Sequence, residues 1–168
     1  MAAGRKRCNQ KLTEGNEGNE DEEFCIFCYL LFKITMHPLF QKADQFSHTA
    51  IGAAIEVHRL KGSGLLEGIY EKCIMRELSL RGLAAVNQRL VKIEYKGLVF
   101  EEPLRFDVLV GDCLLLELKS VQEILPVHKA QLFSYMKLLD VPVGLIINFH
   151  EVKLADGIVR MILPGANL

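Results

Sequence analysis

The sequence predicts an α/β domain with a mixed β-sheet flanked by helices, and three observations lead to that class. Apolar residues recur at helical spacing between Asp44 and Arg81, and the period shortens to two between Arg89 and Ser120. A second helical stretch, Val127 to Leu139, precedes a continuous apolar run, Val143 to Phe149. A helix joining two strands of one sheet favours parallel pairing of those strands, whereas tight turns give antiparallel neighbours. Both kinds of connection occur here, so the sheet is mixed.

Each element has its own justification. From Asp44 to Leu60 the positions Ile51, Ala54, Ile55 and His58 share a helical face, until Lys61-Gly62-Ser63-Gly64 breaks it. A second helix is expected from about Leu66 to Arg81, with Ile69, Cys73, Ile74 and Leu78 inward and Gly82 as its stop. Arg89 to Tyr95, Leu98 to Val110 and Cys113 to Ser120 read as a three-stranded meander, turning at Lys96-Gly97 and Gly111-Asp112. Pro126 suits the first turn of a helix, and Leu132, Met136 and Leu139 fall on one face of it. Val143 to Phe149 is a buried strand, and Asp156-Gly157 marks a closing hairpin.

The chain has 168 residues, half of them apolar, which fits one domain with a sizeable core, or one domain plus a tail. Twenty basic residues against twenty-one acidic give a net charge of -1, so no global positive field gathers nucleic acid or an acidic membrane. A polyanionic partner would have to be held by a local patch or through metal ions. Five cysteines are present, and Cys73 and Cys113 lie in apolar periodic segments, where reduced, buried thiols are expected; this points to a reducing cytoplasm. The apolar run Phe24 to Phe32 is far shorter than the roughly 20 residues of a spanning helix, so no membrane helix is expected.

Residues 1 to 35 differ from the rest. The acidic repeat EGNEGNEDEE cannot collapse, and it is followed by FCIFCYLLFKIT, whose lone Cys25-x-x-Cys28 supplies at most half of a tetrahedral metal site. Domain-like composition begins at Met36. We expect residues 1 to 35 to be a disordered or spurious extension, dispensable for folding, and residues 36 to 168 to form the domain.

The stretch RFDVLVGDCLLLELKS carries Asp107, Glu117 and Lys119 among leucines and valines. Unpaired buried charge costs roughly several kcal/mol, so the three either pair as structure or form a site. Glu117 and Lys119 are two apart on a strand and share a face. A two-residue loop at Gly111-Asp112 would place Asp107 opposite Leu116, whereas a three-residue loop, Gly111-Asp112-Cys113, places it opposite Glu117. In the second arrangement two neighbouring carboxylates call for a cation, and a hard divalent ion with oxygen ligands fits. Lys119 would then stand beside a water or a phosphate oxygen, the parts of metal-assisted phosphodiester hydrolysis.

RFD followed by ELK resembles the PD-(D/E)XK nuclease superfamily, although Leu104 and Arg105 separate Pro103 from Phe106 and the literal Pro-Asp is absent. GLLEGIY, with Gly64, Glu67 and Tyr70, is similar to the motif of the GxxExxY proteins, a bacterial and archaeal group of that superfamily. IGAAIEVHRLKGSG, HKAQLFSYM and VGLIINFHEVKLADGIVRMIL carry the same resemblance, which runs from Met36 to Leu168. It implies a restriction-endonuclease-like αβββαβ core. It also implies a site in which Glu67, Asp107, Glu117 and the Leu118 carbonyl hold Mg2+, or Mn2+, with Lys119 acting on the attacking water and Gln131 supporting the site. The implied partner is nucleic acid, DNA or RNA, and the implied activity is nuclease-like. The competing class is a non-catalytic nucleic-acid or protein interaction module that keeps the fold, which charge neutrality favours. Glu67 on its own is a first-turn glutamate favoured by the helix dipole. His128 and Tyr135 share the stripe of Gln131 and read equally as rim residues with satisfied hydrogen bonds. Tyr70, one turn beyond Glu67, is placed to brace it. The iron–sulfur cluster of some superfamily members is not expected, because the domain has only Cys73 and Cys113.

Overall fold

A computed structural model describes residues 36–87 and 89–168. The expectations for residues 1 to 35 lie outside the described residues. The chain runs α1 (Phe40–Lys61), α2 (Glu67–Leu80), β1 (Ala85–Val86), β2 (Arg89–Tyr95), β3 (Leu98–Leu104), β4 (Val108–Val110), β5 (Leu114–Lys119), α3 (Pro126–Leu139), β6 (Val143–Asn148), a short 3-10 turn at Leu154–Gly157 and β7 (Ile158–Ile162). Five strands form a mixed sheet in the order β1-β4-β5-β6-β7, in which only the β5 and β6 pair is parallel. Among the described residues, no helix is long and apolar enough to cross a membrane.

The sheet has a core on each face because its central strands are apolar on both. Val108, Val110, Leu114, Leu116, Leu118, Leu145 and Ile147 pack with α1 and α2, whereas Leu109, Leu115 and Ile146 pack with Leu132 and Met136 of α3. A strand buried on both faces has a continuous apolar run, as VGLIIN has in β6. Alternation within β5 then assigns Leu114, Leu116 and Leu118 to the α1/α2 face and Leu115, Glu117 and Lys119 to the α3 face.

Two helix faces differ from the sequence expectation. The buried residues of α1 are Ala43, Ser47, Ala50, Ala53, Ala54 and Val57, and Ile55 is 48% exposed. Small side chains let the helix approach its neighbours closely, so the larger isoleucine is left on the outer side. On α2 the inward stripe is Tyr70, Ile74 and Leu78, at four-residue spacing; Ile69 is exposed and Cys73 only half-buried. Cys113 is buried as expected. Gly82 ends α2 with φ 74°, and the Leu83 N–H donates back to the Leu78 carbonyl.

The meander is also corrected. Leu98 to Val110 is not one strand: β3 ends at Leu104, and β2 and β3 form a separate two-stranded ribbon. Pro103 lacks an N–H and cannot serve a central ladder, so it sits on the ribbon, while the buried Phe106 draws the chain back into the α3-side core before β4 begins. The edge of the main sheet is taken instead by β1, antiparallel to β4.

The connection between β4 and β5 decides where Asp107 points. Val108 faces Leu116 and Val110 faces Leu114, so the loop is the three-residue Gly111-Asp112-Cys113. Gly111 and Asp112 both have positive φ, 56° and 57°. A Cβ on Gly111 would fall 2.4 Å from the Phe46 ring. Gly111→Ala therefore combines backbone strain with overpacking and is expected to destabilise the protein by about 2 kcal/mol, as measured by denaturant unfolding.

Candidate metal centre

Continuing the observed register beyond Val108 and Leu116 sets Asp107 opposite Glu117, both on the α3 face. Asp107 lies just outside β4, and its Oδ2 accepts the Leu118 N–H at 2.6 Å, replacing the ladder bond that a longer β4 would have made. A strand residue's N–H and C=O point the same way, so the Leu118 carbonyl faces this same edge. Glu117 is 2% exposed, and its Oε1 accepts from Lys119 Nζ at 2.6 Å. The Lys119 main chain is held from just beyond β6, where the Phe149 N–H donates to its carbonyl at 2.7 Å.

Glu67 comes from the opposite layer. It opens α2, remains exposed, and reaches the end of β5, where its Oε1 accepts the Ser120 N–H at 3.0 Å. Tyr70 sets that approach through the preceding loop, with no hydrogen bond to Glu67. Its hydroxyl donates to the Gly62 carbonyl at 2.8 Å and accepts the Leu65 N–H at 3.1 Å, and its ring stacks on Phe149 at 4.1 Å. The brace expected at Tyr70 thus acts on the loop that leads into Glu67.

Three carboxylates, Glu67, Asp107 and Glu117, thus bond to the last residues of β5 and to Ser120 just beyond it. Each has one oxygen engaged, and among the described residues no hydrogen bond joins one of the three to another. The buried Glu117 Oε2 has no hydrogen-bond partner among the described residues. An orphaned carboxylate oxygen beside further oxygen donors suits a hard divalent cation, so the residues fit magnesium or manganese. As they stand, no three His, Cys, Asp or Glu side chains among the described residues are grouped tightly enough to enclose an ion. Glu67 is tied to Ser120, and Lys119 is closed onto Glu117.

The electrostatics match this arrangement. Burial, with a smaller contribution from Glu117, raises Asp107 to about 6, while the Leu118 N–H and Lys119 oppose the rise. Burial of Lys119 disfavours its charge, but the hydrogen bond and charge of Glu117, followed by Asp107 and Glu67, overcome this and hold its pKa above the ordinary value. Lys119 is thus an ammonium that donates; it does not accept a proton.

The raised Asp107 carboxyl has a consequence for the metal-free protein. Its folded value exceeds the ordinary 3.8, so the stability contributed by the protonated form is present below 3.8 and lost as pH rises through about 6. The full shift corresponds to roughly 3 kcal/mol, which solvent screening of the partly exposed carboxyl reduces to about 1–2 kcal/mol. In chelator, Asp107→Asn is expected to stabilise the protein by that amount at about pH 7.5 and to flatten the loss of stability between about pH 4 and 6, read by denaturant unfolding.

The remaining candidates lie on α3. Gln131 is half-buried, and its amide donates to the Tyr135 hydroxyl at 3.5 Å; no hydrogen bond joins it to the carboxylates. His128 Nδ1 accepts the Leu125 N–H at 3.2 Å, closing the first turn, which makes it a helix cap. Sequence reasoning missed Asn148. It is 1% exposed at the end of β6, opposite Lys119 in register. Its Oδ1 accepts the Val121 N–H at 3.1 Å and its Nδ2 donates to the Val121 carbonyl at 2.7 Å, fixing the chain just beyond Lys119. The available signal was an amide closing the apolar run VGLIIN.

No curated protein and no solved structure gives a significant match to the chain. The family model of the PD-(D/E)XK nuclease superfamily matches residues 44–161, which span α2, the three carboxylates, Lys119 and the sheet to β7. On that match and on a mixed sheet flanked by helices, the chain belongs to the PD-(D/E)XK nuclease superfamily.

Proposed function

We propose that this protein is a Mg2+-dependent phosphodiester hydrolase acting on DNA or RNA, with Mn2+ as an alternative ion, and that residues 36 to 168 form the catalytic domain of a GxxExxY protein in the reducing cytoplasm. Superfamily membership supports a metal-dependent, nuclease-like activity. The observation that carries the finer reading is the orphaned Glu117 Oε2 beside Asp107 and Lys119. Glu67, Asp107, Glu117 and the Leu118 carbonyl are the proposed metal ligands. When bound, the ion supplies Lewis-acid stabilisation of the charge that develops on the phosphate.

The chain's own residues do the rest. Lys119, held as an ammonium by Glu117, donates to the attacking water and offsets negative charge on the scissile phosphate. Asp107 and Glu117 keep the lysine charged and aimed, and the Leu118 N–H fixes the Asp107 carboxyl in turn. Gln131 supports the site from α3, on the same face of the sheet as Glu117. The test is cleavage of single-stranded, duplex and branched DNA and of RNA by purified protein. Activity is expected on at least one of them with Mg2+ or Mn2+, lost in chelator and restored by adding the ion back. Binding without cleavage of any substrate would identify a non-catalytic interaction module instead.

A further inference from the structure

The β2–β3 ribbon stands apart from the main sheet and exposes large apolar side chains. Leu90, Tyr95 and Leu98 are 65%, 63% and 62% exposed, and Val99 is 49% exposed. Val91 is buried, so burial falls off from Val91 toward the turn at Lys96-Gly97. An isolated two-stranded ribbon is marginally stable in water, and both outer edges are unpaired among the described residues. Exposed apolar residues on an unpaired edge mark an interface.

Charge selects the class of partner. Arg89, Lys92 and Lys96 are offset on the ribbon by Glu94, Glu101 and Glu102. Arg89 also pairs with Asp112 at 3.0 Å. A neutral ribbon lacks the excess of cations that a phosphate backbone requires, which favours a protein surface.

The two edges are not equivalent. β3 carries Pro103, which cannot donate to a ladder, and the adjacent Glu101 and Glu102, which would meet their own counterparts across a twofold axis. β2 has no proline, and its exposed Lys92 and Glu94 flank Ile93 symmetrically. An antiparallel pair of β2 strands with its twofold at Ile93 sets Lys92 of each copy opposite Glu94 of the other and Val91 opposite Tyr95. The edge is complementary to itself.

We propose that the chain forms a homodimer by antiparallel pairing of β2 with β2 of a second copy, with the twofold axis at Ile93 and reciprocal Lys92–Glu94 pairs, giving a continuous four-stranded ribbon sheet. One strand pair with a short apolar stripe is a small interface, so dissociation in the micromolar range is expected. The experiment is sedimentation equilibrium of the full chain over a concentration series, with Lys92→Glu, Glu94→Lys and the double exchange Lys92→Glu/Glu94→Lys. These side chains are exposed, and unchanged far-UV circular dichroism and melting verify the fold of each variant. Each single reversal sets like charges opposite one another twice, once per symmetric pair, and is expected to weaken the dimer at least about tenfold. The double exchange restores opposite charges and is expected to recover the wild-type constant. A wild-type monomer at every concentration overturns the proposal, including one whose ribbon variants change nucleic-acid binding instead. A dimer indifferent to the single reversals, or one that the double exchange fails to rescue, overturns it as well.

Discussion

Lys119→Met is expected to lower stability by about 3–5 kcal/mol and to reduce nucleic-acid cleavage at least about a thousandfold. The two losses have different causes. Lys119 and Glu117 side chains are 14% and 3% exposed and form a 2.6 Å ion pair. Removing the ammonium leaves a buried carboxylate without its partner, and that desolvated charge dominates the stability loss. Replacing both, as Glu117→Gln/Lys119→Met, removes the stranded charge and is expected to recover most of the stability. Activity should stay lost in the double variant, because the proposed water-directing cation and a proposed metal ligand are both gone. Unfolding curves and cleavage rates on the same preparations separate the two effects. A purely structural ion pair would instead let the double variant cleave at close to the wild-type rate.

Tyr70→Ala is expected to cost about 3–5 kcal/mol, and Tyr70→Phe about 1–3 kcal/mol. Tyr70 is fully buried and stacked on Phe149, so truncation leaves a cavity between α2 and the sheet. The phenylalanine variant keeps the packing but leaves the Gly62 carbonyl and the Leu65 N–H without their hydroxyl partner. Those groups hold the loop leading into Glu67, so Tyr70→Phe should also weaken activity beyond what its stability loss explains. Thermal and denaturant unfolding give the first quantity, and rates measured well below the melting temperature give the second.

Strand parity narrowed the β4–β5 geometry to two outcomes. Sequence left open whether the loop is Gly111-Asp112 or Gly111-Asp112-Cys113, and the positive φ at both Gly111 and Asp112 accompanies the longer form. Element order was legible, since the period changes at Arg89 and at Val127 are abrupt. The ribbon was not, because strand periodicity reports that a segment is extended and says nothing of which sheet it joins; Pro103 was the overlooked signal. Helix faces were misjudged where the largest side chain was taken as the inward one. Ile55 and Ile69 are exposed, while an alanine stripe and Tyr70 fill the core. At the candidate site, Asp107, Glu117 and Lys119 were singled out by unexplained charge in an apolar strand. Glu67 came from motif resemblance, because a first-turn glutamate looks like an ordinary response to the helix dipole. Asn148 was hidden, since a single amide after an apolar run reads as the end of a strand.

The central claim is that Glu67, Asp107 and Glu117 hold a divalent cation at the end of β5. Its most direct test is Mn2+ binding followed by electron paramagnetic resonance, with nucleic acid present to complete the coordination. The wild-type protein is expected to show saturable binding, weakened at least about tenfold by either Asp107→Asn or Glu117→Gln, with the fold of each variant verified by circular dichroism. Absence of saturable binding, or binding that both variants leave unchanged, would contradict a metal centre built on these carboxylates.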